Sequence, residues 1–155
     1  MSQFQVGDKF PSGTLKNQFG EEIDLDTILG KQACVVFFYP KDFTAGCTKE
    51  VCSFQDNLAV FNQLDIKVFG ISNDSVKKHA SFAQQYHVEY DLLSDKGGAF
   101  KKEVGVPSDL FGLVPGRVTY LVDNDGKVSG IVKSQMNIHK HLEEAIAFAE
   151  SLKLT

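Results

Sequence analysis

A chain of 155 residues, 43% of them apolar and 23% charged, has the material for one domain (residues 1–155) whose core needs neither disulfide nor metal. A formal net charge of −4 with scattered lysines excludes the basic stripe that nucleic-acid binding requires. No apolar run approaches a membrane span, and the opening MSQFQVGDKFPSG lacks a basic-then-apolar leader, so the expected compartment is the cytoplasm. A protein processed from an organelle precursor would read the same way.

Residues 14–24, TLKNQFGEEID, predict a short hairpin turning near Phe19-Gly20, with flanks polar enough for a surface edge. Residues 33–39, ACVVFFY, form a continuous apolar run of the kind found in a strand buried on both faces. Pro40 ends it and the loop KDFTAG follows. From 45 to 60 the spacing of Val51, Phe54, Leu58 and Phe61 predicts a helix. A second buried strand covers 66–72. The next helix, capped by Asp74 or Ser75, runs to about Tyr86 with Phe82 and Ala83 inward. A short strand near Asp91–Leu93 precedes a small helix at Ala99–Val104. RVTYLVD (117–123) and KVSGIVK (127–133) alternate around Asn124-Asp125-Gly126, a strong hairpin signal. A last helix spans about Ile138 to Leu152. This order predicts an α/β sheet with helices on both faces and an antiparallel hairpin at one side.

Three cysteines, an odd number, argue against a disulfide framework and for chemistry at one or two of them. Cys34, inside the buried strand, reads as a small packed hydrophobe. Cys47 and Cys52 lie where a buried strand gives way to a helix. With Thr44 as N-cap, its hydroxyl accepting from the first turn, Cys47 is the third helical residue. It then sits near the positive end of the helix dipole, which favours a thiolate. Ionisation alone gains little, because a free cysteine is already about 3% thiolate at pH 7. A fast reaction at the sulfur also needs donors at the departing group. Arg117, the sole arginine, begins a predicted strand and is the candidate, with its fork able to hold a thiolate and a second group together. Lys41 and Asp42 read as loop surface, and Lys49 and Glu50 as solvated helix residues, with a Glu50–Arg117 bridge as the alternative for Glu50. Five positions along an intact helix separate Cα atoms by roughly 8.6 Å, too far for a disulfide. If Cys47 and Cys52 bond, residues about 45–53 must unwind.

At YPKDFTAGC the chain resembles the peroxiredoxins, and the second cysteine five residues on resembles the peroxiredoxin Q, or bacterioferritin-comigratory, subfamily. VGDKFP, GISNDS, LLSD and RVTYLVDNDGKV fall in family order, so the likeness covers nearly the whole chain. The resemblance implies a thioredoxin-like fold with an N-terminal β-hairpin extension and a central mixed sheet flanked by helices. It implies a thiol-dependent peroxidase, with Cys47 as the peroxidatic cysteine and Cys52 as the resolving one. Thr44 and Arg117 correspond to the residues that contact sulfur and peroxide, and Pro40 to the one that shields the pocket. The implied substrate is hydrogen peroxide or an organic hydroperoxide, and the implied reductant is thioredoxin or a similar dithiol. No metal, haem or flavin cofactor is implied, and a monomer is expected, with a weak dimer as the alternative. The chain carries no GGLG insertion or C-terminal extension, which implies resistance to overoxidation. Leu110, Phe111, Leu113 and Val114, for which the family offers no fixed pattern, read as packing residues.

Two other classes compete. A metal-binding module would draw on His79, His87, His139 and His141, whose spacing is unlike that of zinc ligands, so surface histidines are expected. A thioredoxin-fold disulfide oxidoreductase would carry Cys-x-x-Cys, which the chain lacks.

Overall fold

The computed structural model describes residues 5–106, 108–109, 114–115, 117–134 and 137–153, and for 108–109, 114–115 and 153 the backbone alone. The expected hairpin is β1 (Thr14–Lys16) and β2 (Glu22–Asp24). The apolar run is β3 (Cys34–Phe38), buried along its whole length. The helix expected over 45–60 is two: α1 (Ala45–Asp56) and α2 (Leu58–Gln63), separated at Asn57. Asn57 leaves the helical region and donates its side-chain amide back to the Ser53 carbonyl, competing with the backbone ladder. Then come β4 (Lys67–Ser72), α3 (Val76–Tyr86), β5 (Asp91–Ser94) and α4 (Ala99–Val104). Ser75 caps α3, its hydroxyl accepting from the Lys78 N–H. The two-residue strands β6 (Ser108–Asp109) and β7 (Val114–Pro115) pair with each other, and β8 (Val118–Val122), β9 (Val128–Lys133) and α5 (Ile138–Lys153) complete the chain. The packing expected of Leu110, Phe111 and Leu113 lies outside the described residues, as does that of the Val114 side chain.

The main sheet has the order β2-β1-β5-β4-β3-β8-β9. β3, β4 and β5 run parallel, and the outer strands pair antiparallel. This is the thioredoxin-like sheet that the resemblance implies, with the N-terminal hairpin joined to its β5 edge.

Alternation along β3 sends its side chains to two cores, which is why the run is apolar without a break. Val35, Phe37 and Tyr39 enter a core with Phe54 of α1, Phe61 of α2, Phe82 of α3 and Phe148 of α5. Cys34, Val36 and Phe38 enter the other, with Phe10, Phe100 and Tyr120. The Phe37 and Phe54 rings stack with centroids 4.6 Å apart, fastening α1 to the sheet. Gly70 of β4 makes room for that ring: a Cβ there would lie 2.8 Å from Phe37 Cζ.

Candidate active site

The antiparallel pairing of β3 with β8 matches Phe38 to Val118. The carboxyl end of β3 and the amino end of β8 therefore share one edge of the sheet. The loop and α1 that follow β3 start there, and Arg117 immediately precedes β8 at the same edge. Cys47, third residue of α1 and buried, accepts a hydrogen bond from Arg117 Nη2 at 3.4 Å. Arg117 Nη1 donates to Glu50 Oε1 at 2.5 Å. The fork thus holds a sulfur and a carboxylate that are one helical turn apart. Burial works against the guanidinium's charge, but Glu50 and Cys47 outweigh it and raise its pKa. Gly46 permits the approach: a Cβ there would lie 3.3 Å from Arg117 Nη2 and 3.6 Å from Ile138 Cδ1.

Glu50, expected to be solvated, is 1% exposed and takes the alternative bridging position. Facing inward toward the guanidinium is what removes it from water. Burial pushes its pKa up to about 7, and the attraction of Arg117 acts in the opposite sense.

Thr44 is the N-cap of α1 in extended conformation, but its hydroxyl does not cap the helix. It donates to the Lys41 carbonyl at 2.8 Å, so the expected bond to the first turn is corrected: the loop carbonyl captures the hydroxyl. Pro40 is half-buried at the end of β3. Phe43, between Pro40 and the helix, has φ 68°, in the left-handed region that bulky residues rarely occupy. Its half-exposed ring packs edge-on against Phe82, with centroids 5.0 Å apart.

Asp42 holds that loop in place. Expected on the surface, it is buried at 1% exposure. Oδ1 accepts from the Tyr39 hydroxyl at 2.5 Å, Oδ2 meets His79 Nδ1 at 2.6 Å, and the Asp42 N–H donates to Asp74 Oδ2 at 2.8 Å. His79 Nε2 faces the Leu93 carbonyl at 3.0 Å. With an acceptor at each ring nitrogen, the Asp42–His79 contact must contain a proton. Burial first, then Asp42, raises the Tyr39 pKa far above its ordinary value. Asp74 is held below its usual range despite partial burial, by the Asp42 N–H, the Ser72 hydroxyl and Lys78.

Two of the four histidines therefore depart from the expected surface positions. His79 and His141 are fully buried, whereas His87 and His139 are exposed. His141 Nδ1 lies 2.7 Å from Thr119 Oγ1 and 3.7 Å from Glu50 Oε2, and its Nε2 lies 2.7 Å from the Ser134 carbonyl. The sequence held a signal for both: Val76, His79 and Phe82, and Ile138, His141 and Ala145, follow the inward helical spacing. Nothing in the sequence marked Asp42. Among the described residues, the one cluster of potential metal ligands is Asp42, Asp74 and His79. Its atoms are occupied with each other and with Ser72.

All three cysteines are free thiols. Cys34 is buried in β3, as expected, and burial pushes its pKa up to about 12. Cys52 is half-buried on α1, with its pKa raised by burial and by Asp56. Because α1 is unbroken from 45 to 56, Cys47 and Cys52 stand five residues apart on intact helix.

Residues 6–131 match the AhpC/TSA family. The chain is 44% identical over 152 residues to the chloroplastic peroxiredoxin Q of Suaeda salsa, covering 98% of this chain and 71% of that one. Among solved structures, it is similar to peroxidoxin BcpB of Mycobacterium tuberculosis at TM-score 0.87 and 34% identity, covering 96% and 98% of the two chains. It is similar also to the bacterioferritin comigratory protein of Xanthomonas campestris, described for its alkyl peroxide reduction activity, at TM-score 0.83 and 27% identity, covering 96% of each. No described helix is long and apolar enough to cross a membrane. A cysteine at the head of a helix, held by the guanidinium of a facing strand in a thioredoxin-like sheet, thus occurs in a chain that belongs to the AhpC/TSA family, in its peroxiredoxin Q or bacterioferritin-comigratory branch of thiol-dependent peroxidases.

Proposed function

We propose that Cys47 is the peroxidatic cysteine of this peroxidase and Cys52 its resolving partner. The Cys47 thiolate attacks the terminal oxygen of a hydroperoxide and the O–O bond breaks. The sulfur becomes a sulfenic acid, and the departing alkoxide or hydroxide takes up a proton to leave as alcohol or water. Cys52 then condenses with the sulfenic acid, releasing water and forming the Cys47–Cys52 disulfide. A dithiol protein such as thioredoxin returns both sulfurs to thiols by disulfide exchange.

The observation that carries this reading is the 3.4 Å contact between Arg117 Nη2 and Cys47 Sγ. It supports the reading because a permanent cation with several donors beside the sulfur suits the charge that develops on a departing oxygen. Thr44, at the N-cap of the same helix, contributes to the peroxide site, and Pro40 shields it from water. Alkyl peroxides join hydrogen peroxide as proposed substrates, in keeping with the activity described for the Xanthomonas protein.

Resolution requires α1 to open, because five residues of intact helix hold the two Cα atoms roughly 8.6 Å apart. The opening segment, about residues 45–53, lies between two attachments. Upstream, Asp42 is bonded to Tyr39, His79 and Asp74. Downstream, Gln55 exchanges two hydrogen bonds with Glu89. The reading takes residues 1–155 as one monomeric domain. A reducing compartment suits its three free thiols; the cytoplasm is the one proposed, and the chloroplast of the Suaeda relative has the same chemistry.

The test is peroxide consumption coupled to thioredoxin, with mass spectrometry after one equivalent of peroxide. Cys47→Ser should abolish turnover. Cys52→Ser should form one sulfenic acid and stop. Sustained turnover in Cys47→Ser, or a peroxide-induced disulfide that omits Cys52, would reject the assignment.

A further inference from the structure

Behind Arg117 lies a buried group that the peroxidase steps above do not use. Among the described residues, Glu50 Oε2 is the buried side-chain oxygen with no hydrogen-bond partner. Its companion Oε1 is occupied by Arg117, so any proton on Glu50 belongs on Oε2. Oε2 faces His141 Nδ1 at 3.7 Å. His141 Nε2 points at the Ser134 carbonyl, an acceptor, so the ring's hydrogen is on Nε2. Nδ1 then presents one lone pair, which accepts from the Thr119 hydroxyl at 2.7 Å here, with Glu50 Oε2 facing it at 3.7 Å, beyond hydrogen-bond distance.

The charges require a proton here. Among the described residues, a Cys47 thiolate and a Glu50 carboxylate would both rest on the single guanidinium of Arg117. That leaves one buried negative charge uncompensated, which is costly away from water. One proton on Glu50 makes the cluster neutral. Once the sulfur is a neutral sulfenic acid, Arg117 needs Glu50 as its carboxylate partner, and neutrality requires that proton to leave.

We propose that Glu50 and His141 form a proton store for peroxide reduction, in which His141 Nδ1, anchored through Nε2 on Ser134, turns from the Thr119 hydroxyl to accept from a protonated Glu50 Oε2 while Cys47 is a thiolate. This rests on the peroxidase reading given above. Thiolate and hydroperoxide give sulfenic acid and alkoxide. The alkoxide receives the stored proton and leaves as alcohol, and Glu50 becomes the carboxylate partner of Arg117. After the disulfide is reduced, the Cys47 thiol returns its proton to Glu50 as it ionises. The cluster stays neutral at each stage, and His141 acts through Glu50 without touching the peroxide. Burial of Glu50, which pushes its pKa up to about 7, is consistent with a carboxyl that changes state in this range. His141 is itself held low, by burial first and then by Arg117 and Lys140, with the Ser134 carbonyl opposing, which keeps its ring neutral. The other titratable groups bearing on Glu50 are Arg117 and the buried Tyr90, while Cys47 acts on the shared guanidinium.

The experiment counts protons during one turnover. The Cys52→Ser protein, which stops at the sulfenic acid, is mixed with one equivalent of hydrogen peroxide at pH 6.5 in dilute buffer with a pH indicator. Absorbance near 240 nm confirms that Cys47 begins as thiolate. Proton uptake per sulfenic acid should be close to zero, because the proton is supplied internally. With Glu50→Gln added, it should rise to close to one. The pH dependence of the peroxide rate supplies a second readout. His141→Phe removes the acceptor and should lower the Glu50-dependent midpoint by about one pH unit, the effect of one hydrogen bond. Thr119→Val, nearly isosteric, frees Nδ1 for Glu50 and should raise it. A merely structural role would not move the two in opposite directions. Equal uptake with and without Glu50→Gln, or midpoints that stay put or move together, would overturn the proton store while leaving the peroxidase intact. Absence of sulfenic acid in every Glu50- and His141-intact protein would overturn the peroxidase reading, and the proton store with it.

Discussion

Arg117 and Cys47, 70 residues apart in sequence, meet with Nη2 3.4 Å from Sγ because the pairing of β3 with β8 brings their ends to one edge of the sheet. The contact is sensitive to shape as well as charge, since the other arm of the same fork is held by Glu50. Lysine could supply a charge and donors but not the rigid planar fork that spans the sulfur and the carboxylate. Arg117→Lys should lower the second-order rate of peroxide reduction by ~10²–10³-fold, the usual cost of removing one donor from a developing oxyanion. Stopped-flow measurement of Cys47 oxidation checks this, and a loss under fivefold would show that the fork geometry is dispensable.

Gly46→Ala tests the same contact from the backbone side. The new Cβ would press on Nη2 at 3.3 Å and on Ile138 at 3.6 Å. The guanidinium would have to yield by a few tenths of an ångström, while alanine suits the helix better than glycine. The expected outcome is a slower peroxide reaction with thermal stability unchanged or raised, read by stopped flow and thermal denaturation.

The raised pKa of Glu50 predicts a pH-dependent stability. An unfolded glutamate titrates near 4.3 and the folded one at about 7, so between those values the folded state binds a proton that the unfolded state does not. The associated stabilisation is complete below about pH 4, falls as pH rises, and is gone above about pH 7. It amounts to about 3 kcal/mol. Urea denaturation of the reduced protein at pH 5 and pH 8 should show a larger fall for the wild type than for Glu50→Gln, by about 2 kcal/mol. Parallel falls would show that Glu50 does not titrate in this window.

Asp42 and His79 are both fully buried in their side chains, and each is the other's partner. Removing one member of such a pair leaves an uncompensated group, at a cost of about 3–5 kcal/mol. Asp42→Ala should lose about that much in urea denaturation. Asp42→Asn, which keeps an acceptor for Tyr39 and a donor for His79, should lose distinctly less. The same loss in both would mean that the negative charge, rather than the hydrogen bonds, holds the loop.

Cys34 should remain chemically silent. With its pKa pushed up to about 12 and no exposed surface to speak of, it stays a thiol at any ordinary pH. Iodoacetamide on the native protein should label the half-buried Cys52 but not Cys34, as seen by peptide mass spectrometry. Cys34→Ala should keep peroxidase activity while costing about 1–2 kcal/mol in stability. Rapid labelling of Cys34 would show that β3 opens far more readily than its burial implies.

The order of elements was legible from the sequence because each rests on local rules: the apolar run of β3, the turn at Asn124-Asp125-Gly126, the spacing of Phe82 and Ala83. So was the placement of Cys47 as the third residue of α1, which needs only the end of a strand and the start of a helix. The break at Asn57 was not legible, because the inward spacing of Val51, Phe54, Leu58 and Phe61 continues across it. Glu50, Asp42, His79 and His141 all read as surface residues by type. A charged or polar side chain is buried only when partners remote in sequence meet it, and strand register and helix docking decide which partners those are. The sequence determined that a cysteine would stand at the head of a helix; only the tertiary structure decided that Arg117, Glu50 and His141 would gather behind it, because hydrogen bonds and charge balance across 67 or more residues have no local signature.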